Sequence, residues 1–290
     1  MINFILANCR VGQKKMGVEK APQIIYSRLL KYHNKFNKHI NIDNQVSISE
    51  YSFEVNKGYK MLYDKYNDFT KKNNYPIITL GGDHSIALST CQAFIDKYKE
   101  DGHIIWIDAH TDINTYKSSG SKNLHGMPVS SLMGIMDLPI INKKYNLKPE
   151  QITYLGPRSV DKEEMDIINK YDIKLYSSED IRNTNVNYDC HNNLLKILDE
   201  VQEKIKDKFI HISFDIDVID PSLVKSTGTT VDKGLTMHDI WIILNYITKN
   251  NMIASCDFVE YNPNIGDIKE KERSLNYMEL SINTVINNLS

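Results

Sequence analysis

Neither sign of charge is in surplus: 35 lysines and arginines stand against 37 aspartates and glutamates, a net of −2 at neutral pH. A polyphosphate backbone is held by excess basic charge, so no nucleic-acid partner is expected. Cysteine is scarce. Cys9, Cys91, Cys190 and Cys256 lie far apart, without the close pairs of a zinc ribbon or thioredoxin motif and without the density of a secreted disulfide scaffold. Long apolar runs are missing too. The opening stretch, Ile2 to Ala7, carries no basic leader and no small-residue cleavage site, and no later run is long enough to span a bilayer. No Gly/Ser/Pro-rich stretch marks a boundary and no internal repeat is visible. These absences lead to the expectation of one cytoplasmic domain over residues 1–290, without a membrane partner.

What is present is an alternation of short apolar runs with longer segments of helical period, as when parallel strands are joined by crossover helices. Strands are expected at Asn3 to Ala7, Val46 to Ser49, Ile77 to Leu80, Ile104 to Asp108, Ile152 to Leu155, Lys174 to Tyr176, Ile210 to Asp215 and Ile253 to Val259. Most are apolar throughout, as strands buried on both faces must be. Helical segments are expected at Gln23 to Tyr32, Val55 to Phe69, Ser85 to Tyr98, Lys162 to Asn169, Asn192 to Ile205, Met237 to Ile247 and Ser274 to Asn288. The charged runs Lys71 to Asn74 and Lys269 to Arg273 read as solvated surface, and so do His33, His39, His191 and His238.

In open parallel sheets, ligands bind beyond the carboxyl ends of the strands, and three of these ends carry chemistry. One strand runs into Gly81-Gly82-Asp83-His84-Ser85, a second into Asp108-Ala109-His110-Thr111-Asp112, and a third into Asp215-Ile216-Asp217. Alone, each has a bland reading: a packed histidine, or an aspartate that caps a helix or forms a turn. Together, carboxylates gathered at one end of a buried sheet repel one another and lift their own pKa values unless a cation is present. His84, Asp108, His110, Asp112, Asp215 and Asp217 form a hard set without thiolate, suited to Mn²⁺ or Mg²⁺ rather than structural Zn²⁺. Six ligands are too many for one ion unless carboxylates bridge. A pair of ions ~3.5–4 Å apart uses them all if Asp108 and Asp215 span both, and it points to hydrolysis by ionised water.

These motifs, with Gly12, Gly17-Val18-Glu19 and Glu260-Tyr261-Asn262-Pro263, resemble the ureohydrolases, the arginase and agmatinase family of binuclear manganese hydrolases. The resemblance runs nearly the length of the chain. It implies a single three-layer α/β/α domain with a central, mostly parallel sheet of about eight strands. It also implies two Mn²⁺ ions, one on His84, Asp108, Asp112 and Asp215, the other on His110, Asp108, Asp215 and Asp217. A bridging hydroxide would attack the guanidinium carbon of the substrate, with the carboxylates of Asp112 and Glu260 at the reacting group. By the same resemblance His125 is a general acid/base, Glu260 accepts hydrogen bonds from the guanidinium, and Thr229 lines the pocket.

For substrate identity the resemblance points to L-arginine. Asn114 and Ser121 fall at positions that meet an α-carboxylate, and Asp161, with Glu164 nearby, at a position that meets an α-amino group. Ser159, Lys162-Glu163, Lys122 and Tyr116 depart from the usual pattern, with Lys122 expected to point to water. The expected reaction is hydrolysis of L-arginine to L-ornithine and urea. An agmatinase or another guanidino-compound hydrolase remains open, as does a catalytically silent metal-binding paralogue. A homo-oligomer, possibly a trimer, is implied by family.

Overall fold

The computed structural model describes residues 1–35, 42–182 and 190–289. Eight strands form one sheet: β1 (Ile2–Ala7), β2 (Ile42–Ile48), β3 (Ile77–Gly81), β4 (Gly102–Ile107), β5 (Ile152–Leu155), β6 (Lys174–Tyr176), β7 (Phe209–Asp215) and β8 (Met252–Val259). Their order is β2-β1-β3-β8-β7-β4-β5-β6, and every pairing is parallel. β1, β3 and β4 are buried along their whole length, which is why they read as unbroken apolar runs.

Helices cover both faces. On one side α1 (Ala21–Lys35), α8 (Cys190–Ile205), α9 (Met237–Asn250) and α10 (Ile268–Leu289) pack Ile25, Leu198, Ile243 and Ile282 against Phe4, Ile105, Ile212 and Phe258 of the sheet. On the other, α2 (Glu50–Glu54), α3 (Gly58–Lys72), α4 (Ala87–Tyr98), α5 (Pro128–Leu132) and α6 (Lys162–Tyr171) pack Phe53, Leu62, Phe94, Val129 and Ile168 against Ile5, Ile104, Trp106 and Tyr154. The short α7 (Ser178–Arg182) follows β6. Among the described residues no helix is long and apolar enough to cross a membrane.

Every expected strand is found, most within a residue or two. β2 begins earlier than Val46, at Ile42, and β4 stops at Ile107, leaving Asp108 free to turn. Most helices outrun their apolar stripes, α9 reaching Asn250 and α10 starting at Ile268, but α4 begins at Ala87, two residues later than expected, and the segment expected over Val55 to Phe69 is α3 from Gly58 with a separate α2 before it. At α9, Thr236 Oγ1 accepts from the Asp239 N–H (3.2 Å) and Asp239 accepts from the Thr236 N–H (2.8 Å), a reciprocal cap. The Lys269 to Arg273 run is solvated surface, as expected, in the first turns of α10, and it also carries ion pairs: Glu272 with Arg28 at 2.6 Å and Glu270 with Lys225 at 3.0 Å. His33 corrects the surface reading. It is buried under α10 with Nε2 2.8 Å from Asn283 Oδ1, because the fifteen-residue α1 carries it round to the packed stripe. His238 is exposed; His39 lies outside the described residues, as does the side chain of His191.

The chain leaves β3 and jumps past two strand positions to β4, and β7 and β8 later fill the gap. This topological switch puts the carboxyl ends of β3, β8, β7 and β4 side by side, the position where doubly covered sheets bind ligands.

Candidate metal centre

From β3 the chain passes through Gly82, where a Cβ would collide with the Cys9 carbonyl oxygen, so only glycine lets the two segments touch. Asp83 then accepts hydrogen bonds from the Ser85 N–H (3.0 Å) and the Gly12 N–H (2.8 Å). This fixes the turn into α4 and ties the Gly12 loop to it. His84 lies flat on Trp106, ring centroids 4.2 Å apart, with Nε2 2.8 Å from Ser213 Oγ. Its Nδ1 faces Asp108 Oδ2 (3.0 Å), Asp112 Oδ2 (3.2 Å) and Asp215 Oδ2 (3.3 Å).

Asp108 is two-sided. Its Oδ1 accepts from the His110 N–H at 2.7 Å and lies 3.4 Å from His110 Nδ1, while Oδ2 turns to His84 and accepts from Trp106 Nε1 at 3.1 Å. Asp217 stands 3.1 Å from His110 Nδ1 and is held by the Ala109 N–H (3.2 Å) and the Thr229 hydroxyl (3.1 Å). Asp215 accepts from the Asp217 N–H at 2.8 Å. All six residues expected as ligands thus meet at one place.

Their electrostatics are those of crowded anions. Burial, then the charges of Asp217 and Asp108, push Asp215 well above the usual carboxylate range, and burial with the Asp108 charge raises Asp112. Burial opposes a charge on His84, but the three carboxylates of Asp108, Asp112 and Asp215 that face its Nδ1 outweigh it and lift the imidazole well above its ordinary value.

The next layer is Glu260 and His125. Glu260 follows β8 with φ +67°, and Asp112 has φ +48°. Such left-handed backbone is uncommon for non-glycine residues and clusters at functional sites. The Glu260 N–H donates to the Gly82 carbonyl (2.8 Å). Its Oε1 accepts from the His84 N–H (3.0 Å) and lies 2.9 Å from His125 Nδ1, and Oε2 accepts from Gln13 Nε2 at 2.7 Å. Burial disfavours the His125 cation, yet the Glu260 carboxylate raises it to about 9.

Together these groups open on a cavity of about 120 Å³ walled by His110, Asp112, His125, Asp215, Asp217 and Thr229 on one side and Asn114, Ser159, Asp161 and Glu164 on the other. Larger hollows of about 570 and 630 Å³ lie elsewhere on the surface and hold no such cluster. On the far wall Asn114 Nδ2 donates to Asp161 Oδ2 (3.3 Å). Glu164 accepts from the Asp161 N–H (3.0 Å), so the pair also caps α6. Ser121 is exposed and is not among the residues that line the cavity; its hydroxyl accepts from the Asn123 N–H (3.2 Å) and lies 3.4 Å from Ser119 Oγ, which leaves it able to donate and to accept once more. Lys122 is exposed, as expected, its Nζ donating to the Tyr116 carbonyl at 2.5 Å.

Three contributors escaped the motif reading. Gln13 steadies Glu260, and Ser213 fixes the His84 ring. Arg158 donates to the carbonyls of Asp217 (2.7 Å) and Val218 (3.0 Å), pinning the Asp217 turn. Gln13 follows Gly12 and Arg158 precedes Ser159, but nothing in their spacing reveals what they touch.

A parallel sheet whose central strands end in a buried carboxylate and imidazole cluster defines a metal-dependent hydrolase of the three-layer α/β/α class. Residues 2–279 match the profile of the Arginase family, and the chain belongs to that family, whose members are metal-dependent hydrolases acting on C–N bonds. It is 31% identical to the arginase of Entamoeba histolytica over 286 residues, 92% of each chain. It is 35% identical to that of Saccharomyces cerevisiae over 218 residues, 73% of this chain and 64% of the yeast protein. The solved structure of Entamoeba histolytica arginase in complex with L-ornithine superposes with a TM-score of 0.85 at 29% identity, covering 98% of this chain and 97% of that one.

Proposed function

We propose that this chain hydrolyses L-arginine to L-ornithine and urea at a binuclear manganese centre, with residues 1–290 working as one domain within a homo-oligomer. The observation that carries the reading is the two-sided Asp108 between His84 and His110. The cluster fits hard divalent cations. His84 Nδ1 is buried without a hydrogen-bond partner although three carboxylate oxygens lie within 3.3 Å, the setting of a nitrogen that shares a cation with them. His84, Asp108, Asp112 and Asp215 would hold one ion; His110, Asp108, Asp215 and Asp217 the other. Divalent cations bound there supply Lewis acidity and lower the pKa of water to near neutrality.

The chain's own groups do the rest. A carboxylate offers about four lone-pair sites, and Glu260 has three of them engaged by Gln13, His84 N–H and His125. The remaining site accepts from a guanidinium N–H, a charge-assisted bond, and the His125 contact is the one a second N–H displaces. His125, released toward the cavity it lines, delivers a proton to the departing amine. At the far wall Asn114 meets the α-carboxylate and Asp161, backed by Glu164, the α-amino group. The L-ornithine held by the Entamoeba histolytica enzyme supports an α-amino acid there. Ser121, on the same loop, is assigned with Asn114 to the α-carboxylate.

Urea release by manganese-loaded protein, measured with L-arginine and with agmatine at equal concentration, tests it. Strong preference for L-arginine is expected. Equal turnover would remove the far-wall assignment and favour a broader guanidino hydrolase, and no urea from any guanidine would reveal a silent metal-binding paralogue.

A further inference from the structure

Deeper on the same face of β7, a second group of donors converges. Cys91 of α4, His211 of β7 and Asp257 of β8 are fully buried, and one donor atom from each lies within 4.8 Å of the others. His211 Nε2 is 3.3 Å from Asp257 Oδ2. Even so, His211 Nε2 and Asp257 Oδ1 have no hydrogen-bond partner, in a place where buried polar atoms are nearly always bonded. The surroundings fix both groups from behind. His211 Nδ1 sits 2.7 Å from Ser255 Oγ, which is itself 2.7 Å from the Tyr66 hydroxyl, and the Thr90 hydroxyl donates to Asp257 Oδ2. A ring whose Nδ1–H is engaged outward turns the Nε2 lone pair inward, the arrangement found behind metal-ligating histidines.

We propose that Cys91, His211 and Asp257 form a separate structural site for a borderline-soft divalent cation of the Zn²⁺ class. Zinc takes thiolate, imidazole and carboxylate donors together, with a fourth position open to water. Charge balance favours it: a thiolate and a carboxylate carry two negative charges, a neutral imidazole none, and a dication brings the sealed pocket to zero. Binding forms the S–metal bond as the Cys91 thiol releases its proton to solvent. The thiolate separates this site chemically from the catalytic cluster, which has only oxygen and nitrogen donors. His211 lies four residues before Asp215 on β7, about 13 Å at the rise of a parallel strand. Full burial further means that the ion enters as the chain folds and resists chelators that reach the catalytic cluster through its cavity.

The test uses the full-length chain produced with cobalt, which reports thiolate ligation by a sulfur-to-cobalt charge-transfer band in the near ultraviolet. After native EDTA treatment, one cobalt per chain and the band are expected to remain. Both should vanish in Cys91→Ser and persist in Asp215→Asn, whose lesion lies in the catalytic cluster. No retained cobalt and no band in the wild-type chain would overturn the proposal, and so would a band of full strength in Cys91→Ser. The wild-type measurement decides even if Cys91→Ser folds poorly, and it needs no turnover, so it stands or falls apart from the substrate reading.

Discussion

Two histidine and carboxylate clusters share one face of β7 and differ in depth and in donor chemistry. The outer one, at the strand ends, gathers six oxygen and nitrogen donors, four of which line a cavity, so the ions proposed to relieve its anionic crowding would have a route in and out. The inner one has three donors, one of them sulfur, sealed between α4 and the sheet. Depth sets how fast a cation exchanges, and ligand softness sets which cation is held. A single strand thereby offers a working site and a proposed locked one.

The comparison fails or tightens on measurable effects. Asp215→Ala, which removes a carboxylate between the two halves of the outer cluster, should abolish urea release and outer-site manganese while sparing the EDTA-resistant ion; metal analysis and a urea assay check this together. His125→Ala should keep the manganese and slow turnover by roughly 10²–10⁴-fold; a wild-type rate would remove His125 from proton transfer. Ser213→Ala deletes the partner behind His84 and should weaken outer-site cation affinity by about 10–100-fold, read by chelator competition. Cys91→Ser should leave urea release at the wild-type level while losing the retained ion.

The smallest effect is in pH dependence. In chelator-treated protein His125 keeps its proton to about pH 9, against roughly 6.5 in the unfolded chain. Its contribution is therefore complete below pH 6.5 and disappears as pH rises through about 9, worth at most roughly 3 kcal/mol. His125→Asn should flatten the fall in melting temperature across that window. An unchanged slope would show that the Glu260 pair carries no net stability.

Much of this molecule is legible in one dimension. β1, β3 and β4 are unbroken apolar runs because helices cover both of their faces, and Gly82, Asp108 and Asp215 sit at strand ends where a parallel sheet concentrates its chemistry. Local spacing could place all six outer donors because each motif is contiguous and each strand end presents it to the same edge. The misses have a common cause. His33 reads as surface until α1 is extended and packed on α10. Gln13 reaches a carboxylate 247 positions away, which no local pattern encodes.

Chain chemistry alone settled the sheet, its buried strands and the anionic cluster at their ends, since periodicity and ligand type are properties of neighbouring residues. Contact across the fold settled the rest: which oxygen of Asp108 faces which histidine, what clamps Glu260, and that Cys91, His211 and Asp257 meet at all. Strand order and register set those distances, and they arise only when segments far apart in the chain are packed side by side.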